Sequence, residues 1–164
     1  MVNAHYFYFK DDGSIPNNST LSVIYYPAVF KANPEKIEQV FNGHGWRNSW
    51  TGGVFNYHHY HSNTHEVLGV RSGSAVLRIG GDHGENFRVS TGDVVLLPAG
   101  TGHKLLESSQ DFQVIGAYPE GKSHNLKTGK VEERPFVLDD IQNTPVPKTD
   151  PVFGSSGPVT EHWA

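Results

Sequence analysis

The sequence predicts an all-β protein, a sandwich or barrel of short strands preceded by one short helix. Three observations carry that reading. Between Gly53 and Tyr118 the chain breaks into apolar, β-branched runs near 54–61, 66–71, 74–79, 86–90, 93–97, 103–108 and 112–118, the short regular spacing of a sandwich or barrel. Glycine-rich connections such as Gly80-Gly81-Asp82-His83-Gly84 separate them, as hairpins require. Glycine (18 residues) and proline (10 residues) are abundant across the 164 residues, which suits a chain of many tight turns.

Ahead of the strands, Leu21 to Tyr26 is β-branched and aromatic and Pro27 ends it, so an edge or arm strand is expected. His5 to Phe9 reads as a further strand or a dimer contact. Asn33-Pro34-Glu35 opens a helix, with Asn as N-cap and Pro at the first helical position. Ile37, Val40 and Phe41 recur at helical spacing and Gly43 is placed to end it. After Tyr118 the chain is punctuated by Pro135, Pro145, Pro147, Pro151 and Pro158 and is expected to be extended. A single domain over 1–164 follows: an N-terminal arm and helix (1–49), a barrel core (about 50–120) and a tail (121–164) wrapping the barrel or a neighbouring subunit.

Composition excludes several function classes. The 13 basic residues are scattered among 17 acidic ones, a net charge of −4, so the clustered cations that release counterions from nucleic acid are missing. No apolar run approaches the ~20 residues of a membrane span, and the N-terminus lacks the basic and apolar regions of a secretory signal. A cytoplasmic protein is expected. Without cysteine there are no disulfides, thiolate metal sites or cysteine nucleophiles.

The chemistry lies in the histidines, four of which fall between His58 and His65. In Tyr57-His58-His59-Tyr60-His61 alternate residues share a face of a strand. Phe55, Tyr57, His59 and His61 then point one way and His58 the other. Imidazoles two residues apart can converge on one cation, and Glu66 opens the next strand as a hard oxygen ligand, with Leu68 and Val70 in phase. His103 begins a later strand after the Pro98–Gly102 turn. Three neutral imidazoles and a carboxylate suit a first-row divalent ion.

The spacing of these residues resembles the cupin family. Gly53, five residues, His59, one residue, His61, four residues, Glu66, six residues, Gly73 is similar to the first cupin motif. Gly92, five residues, Pro98, one residue, Gly100, two residues, His103 is similar to the second, which closes with Asn where this chain has Glu107. The resemblance implies a double-stranded β-helix (jelly-roll) barrel in which His59, His61, Glu66 and His103 ligate one divalent transition metal ion, Fe, Mn, Zn or Ni. Trp46-Arg47-Asn48, His61 to Gly69, Leu97 to Lys104, Gly116-Ala117-Tyr118-Pro119 and Asp150 to Gly154 are similar to a narrower bacterial group, the YjlB-like cupins, which supplies fold and metal but no substrate. It also suggests a homodimer, for which strand 21–26 and the tail offer material for exchange.

Other residues carry open alternatives. Glu107, in phase with His103 and Leu105, is either a base or additional ligand near the metal, or a carboxylate at the barrel mouth or paired with an arginine. Arg47 either clamps an anionic substrate or forms an ion pair over the barrel. Tyr57 either lines the pocket, as a candidate catalytic or substrate-binding hydroxyl, or packs in the core. His58 is expected at the surface, and His65 is expected to orient neighbouring backbone. Four protein ligands leave positions open for water or substrate. The expected function is therefore a metal-dependent enzyme on a small organic molecule: an oxygenase with iron, or a Lewis-acid isomerase, decarboxylase or hydrolase of a keto-acid, hydroxy-acid or sugar-like substrate. The alternative is a non-catalytic small-molecule binder or sensor.

Overall fold

A computed structural model describes residues 3–163. The chain forms two antiparallel sheets. The larger contains β1 (His5–Phe7), β2 (Val23–Tyr26), β3 (Trp46–Gly52), β4 (Glu66–Ser72), β7 (Val94–Leu97) and β9 (Gln113–Pro119), in the order β1-β2-β7-β4-β9-β3. The smaller contains β5 (Ser74–Ile79), β6 (Glu85–Ser90) and β8 (His103–Ser108), in the order β6-β5-β8.

The pleat divides each strand of the larger sheet between two cores. Leu68 and Val70 of β4, Val95 and Leu97 of β7 and Val114 of β9 face the smaller sheet, where Leu77, Ile79 and Val89 complete the barrel interior. Their neighbours Val67, Leu96, Ile115 and Ala117 face outward, yet they are just as buried. α1 (Ile37–Gly43) and the C-terminal residues Val152, Val159 and Trp163 cover them. α1 can lie this close because Gly69 has no side chain: a Cβ there would sit 2.6 Å from Ile37 Cγ2.

Several elements differ from the sequence expectation. Residues 54–61 make no ladder strand; they bend at Asn56 and Tyr57 and contribute only isolated bridges of His59 to His103 and Tyr60 to Lys127. The strand lies earlier, at β3, where Asn48 has φ +56° and the register shifts between Arg47 and Trp50. That irregularity breaks the period-two pattern by which a strand is recognised. β2 is an interior strand, flanked by β1 and β7. In the N-terminal helix, Pro34–Lys36 is a 3-10 turn and Asn33 makes no side-chain cap, although α1 ends at Gly43 as expected. The buried face, Ile37 and Phe41, is the expected one.

The tail is not simply extended. It contains α2 (Arg134–Asn143) and α3 (Pro158–His162), each with a proline in its first turn, where the missing N–H costs nothing. Pro135 and Pro158 thus open helices. The tail is fastened to the barrel at Asp150, which is fully buried. Its carboxylate accepts from Tyr26 Oη at 2.7 Å and from the amides of Val152, Phe153 and Val159 at 2.8, 3.0 and 3.0 Å. Trp163 Nε1 donates to the Ser22 carbonyl at 3.1 Å. Among the described residues no helix is long and apolar enough to cross a membrane.

Candidate metal centre

Main-chain pairing builds the centre. His59 and His103 face each other across an antiparallel bridge, His59 N–H to His103 O at 3.1 Å and His103 N–H to His59 O at 2.9 Å. Their rings stand side by side, with centroids 4.0 Å apart. Gly100 (φ +91°) turns the chain into β8, and its N–H extends the pairing to His61 O at 2.8 Å. Glu66, the first residue of β4, projects on the barrel-interior face shared with Leu68 and Val70.

One ligand atom from each of His59, His61 and His103 lies within 4.8 Å of the others, and all three residues are buried. Glu66 Oε1 is 3.2 Å from His61 Nε2 and 3.3 Å from His103 Nε2. Donor atoms held at right angles about 2.1 Å from one ion stand about 3 Å apart, so this spacing fits a shared first-row metal. The tautomers fit as well. Nδ1 of His59 faces Tyr57 O at 3.0 Å, Nδ1 of His103 faces Thr101 O at 3.1 Å, and Nδ1 of His61 faces Asn125 O. A carbonyl only accepts, so each Nδ1 carries the proton and each Nε2 is left with a free lone pair that could bind an ion.

Electrostatics follow from burial. Burial opposes charge on Glu66, but His61 and His103 beside it hold its carboxyl well below the usual range. Burial also works against His61, yet the Glu66 carboxylate outweighs it and raises its pKa. His59 is driven down to about 3, by burial first and then by His103.

Behind the cluster, Tyr118 Oη donates to Glu66 Oε2 at 2.6 Å and accepts from Trp50 Nε1 at 2.8 Å. Burial, then the Glu66 charge, raises the Tyr118 pKa far above its ordinary value, so it stays a donor. Trp50 reaches it by lying on Gly116, where a Cβ would come 2.3 Å from the indole. His124 stacks on Tyr118 at 4.5 Å and meets His61 edge-on at 5.0 Å. None of Trp50, Tyr118, His124 and Asn125 was assigned a role from sequence. For Tyr118 a signal existed: Val114, Gly116 and Tyr118 alternate along β9 on the face Val114 turns inward.

Three sequence candidates lie elsewhere. Glu107 is exposed, a correction to its expected inward phase. Leu105 pairs with Leu77 but Glu107 pairs with Val76, so Leu106 is an extra residue that reverses the alternation. Arg47 is exposed and lines a separate cleft with His44, Lys122 and Lys148. Tyr57 is 42% exposed and stacks on Phe55, with ring centroids 5.1 Å apart; its side chain is absent from the cavity lining, and its carbonyl orients His59.

His58 turns away and meets Asp82 at 2.9 Å. His65 links two backbone segments: Nδ1 accepts from Ala99 N–H at 2.9 Å and Nε2–H donates to Pro145 O at 3.0 Å. Burial, above all, lowers its pKa to about 4. Unfolded, it protonates near 6.5. Stability from neutral His65 is therefore complete above about pH 6.5 and fades as pH falls toward about 4, by up to roughly 3 kcal/mol. Urea melts at pH 7.5 and 4.5 test this. The loss on acidification should be smaller in His65→Gln, and an equal loss in both proteins would refute the assignment.

Two packed antiparallel sheets around a histidine cluster at the barrel mouth define a cupin, and the chain belongs to that family: the cupin domain model matches residues 47–115. Over nearly its whole length it is also similar to the uncharacterized protein YjlB of Bacillus subtilis (strain 168), with 45% identity over 157 residues covering 96% of this chain and 94% of that one. Among solved structures, acireductone dioxygenase from Bacillus anthracis with a cadmium ion in its active centre matches at 18% identity and TM-score 0.39, over 58% of this chain and 62% of that one. A mutant of Bacillus subtilis oxalate decarboxylase matches at 21% identity and TM-score 0.38, over 65% and 27%. The chain thus spans less than two thirds of either.

Proposed function

We propose that the protein is a metal-dependent enzyme acting on a small organic molecule, with one divalent ion (Fe, Mn, Zn or Ni) held by His59, His61, Glu66 and His103. The observation that carries this is the set of three Nδ1–H bonds to main-chain carbonyls, which leaves every Nε2 free to bind an ion, with those of His61 and His103 beside Glu66. A bound ion would supply Lewis acidity to a substrate oxygen or, as iron, one-electron redox capacity. The chain's own residues do the rest. Tyr118 occupies one Glu66 oxygen and leaves the other facing the imidazoles, while Trp50, Phe55 and Leu68 wall a cavity above the cluster.

Elemental analysis of untagged protein tests the reading. About one metal ion per chain is expected in the wild type and none in His61→Ala. A wild type that takes up no metal after addition of Fe²⁺, Mn²⁺, Zn²⁺ or Ni²⁺ would sink it. Tyr118→Phe should weaken metal binding by roughly 10–100-fold, the usual effect of losing a partner that orients a ligand. Competition with a chromophoric chelator reads this, and unchanged affinity would remove Tyr118 from the site.

The second reading, a non-catalytic binding or sensing barrel, is favoured by one observation: neither Tyr57 nor Glu107 lines the cavity. Ligand binding without turnover would select it. The protein is also proposed to be a homodimer, supported by β1 at the edge of the larger sheet and by Val131 and Phe136, 81% and 70% exposed. A monomer by light scattering would reject this.

A further inference from the structure

The cavity over the cluster has a volume of about 470 Å³. Among the described residues lining it there is no lysine or arginine, and Glu66 is the sole carboxylate. The wall above the histidines is made by Trp50, Val54, Phe55 and Leu68, and Phe55, 51% exposed, stands at its mouth. The cations nearest in the sequence go elsewhere: Arg47 and Lys122 line the separate cleft, and Lys104 pairs in the ladder opposite Arg78.

We infer that the ligand of this cavity is a monoanion with an apolar, preferably aromatic body, its charged oxygen-bearing end at the histidine cluster and its body against Trp50, Val54, Phe55 and Leu68. This rests on the metal reading above and narrows it. The charges decide the class. Glu66 contributes one negative charge, a divalent ion two positive charges, and neutral imidazoles none, leaving one positive charge for the ligand to balance. A second negative charge would meet no lysine or arginine: beside the apolar wall the lining adds only Asn48, Ser49, Tyr118 and His124, and a charge without an opposite charge is costly there. Phosphorylated sugars and dicarboxylates therefore do not fit, although a carboxylate as such does. A small hydrophilic acid would leave the apolar wall wet and gain nothing from it.

Three acids with the same α-hydroxycarboxylate head separate the possibilities: mandelate carries a phenyl body, glycolate has none, and malate adds a second carboxylate. Zinc is first titrated alone into the protein at pH 8, where an ordinary imidazole is neutral; each acid is then titrated into the zinc-loaded protein by calorimetry. Mandelate should bind at least roughly tenfold more tightly than glycolate, as burial of a phenyl group predicts, and malate should bind no better than glycolate. In Phe55→Ala the gap between mandelate and glycolate should narrow. If neither zinc nor Fe²⁺, Mn²⁺ or Ni²⁺ titrated in its place binds, the metal reading fails and this inference falls with it. If one ion binds per chain but mandelate shows no preference, or malate binds best, the inference alone is overturned.

Discussion

Asp150→Ala is expected to lower the folding stability by about 4 kcal/mol. The fully buried carboxylate satisfies four donors, Tyr26 Oη and the amides of Val152, Phe153 and Val159. Alanine leaves all four without their acceptor, and each buried donor left unsatisfied costs roughly 1–3 kcal/mol, less where water enters. Against a typical total of 5–15 kcal/mol, such a loss is large. It should appear as a lower urea midpoint at unchanged slope. Asp150→Asn should recover part of it, because the amide oxygen can still accept from one pair of donors. A loss below about 1 kcal/mol in the alanine variant would mean that the tail is held by apolar packing around Trp163 alone.

Glu66→Gln should reduce affinity for a divalent metal by more than about 100-fold. Residues that only orient a ligand account for 10–100-fold, and among the described residues Glu66 is the one anion beside His61 and His103. The substitution keeps the side-chain size and removes the charge. Thermal melts with and without zinc would show it: a site at one hundred times its Kd gains about 2.7 kcal/mol from the ligand, and the variant should gain almost nothing. Equal stabilisation of wild type and Glu66→Gln would place the ion elsewhere.

The strands from 66 to 119 were legible because each is a short apolar run bounded by glycine or polar turns, and their positions agree with the sequence to within a residue or so. The interior phase of Glu66, Leu68 and Val70 follows from alternation alone. Alternation failed where the backbone breaks it: at Asn48 in β3, and at Leu106, whose extra residue turned Glu107 to solvent. The tail departs from the extended form its prolines suggest because Pro135 and Pro158 each sit in the first turn of a helix, where proline is as much at home as in an extended chain. Of the residues around the cluster, motif spacing pointed to His59, His61, Glu66 and His103. Alternation along β9 could give Tyr118 its inward phase, but nothing local could point to Trp50, His124 and Asn125, which sheet order and the tail folding back bring there across 63 to 68 positions of sequence.

The carbonyls that fix the imidazole tautomers have a consequence for how the protein can vary. Two of them belong to the residue two positions before the histidine, Tyr57 before His59 and Thr101 before His103. A carbonyl is present whatever the side chain, so positions 57 and 101 can drift in identity without disturbing ring orientation. A change in chain length cannot be absorbed in the same way. One residue inserted between 57 and 59, or between 101 and 103, would move the carbonyl off its ring and turn the following side chain to the opposite face. The cluster is thus tolerant of substitution in its frame and intolerant of insertion or deletion, and a library varying length against identity in these segments would separate the two.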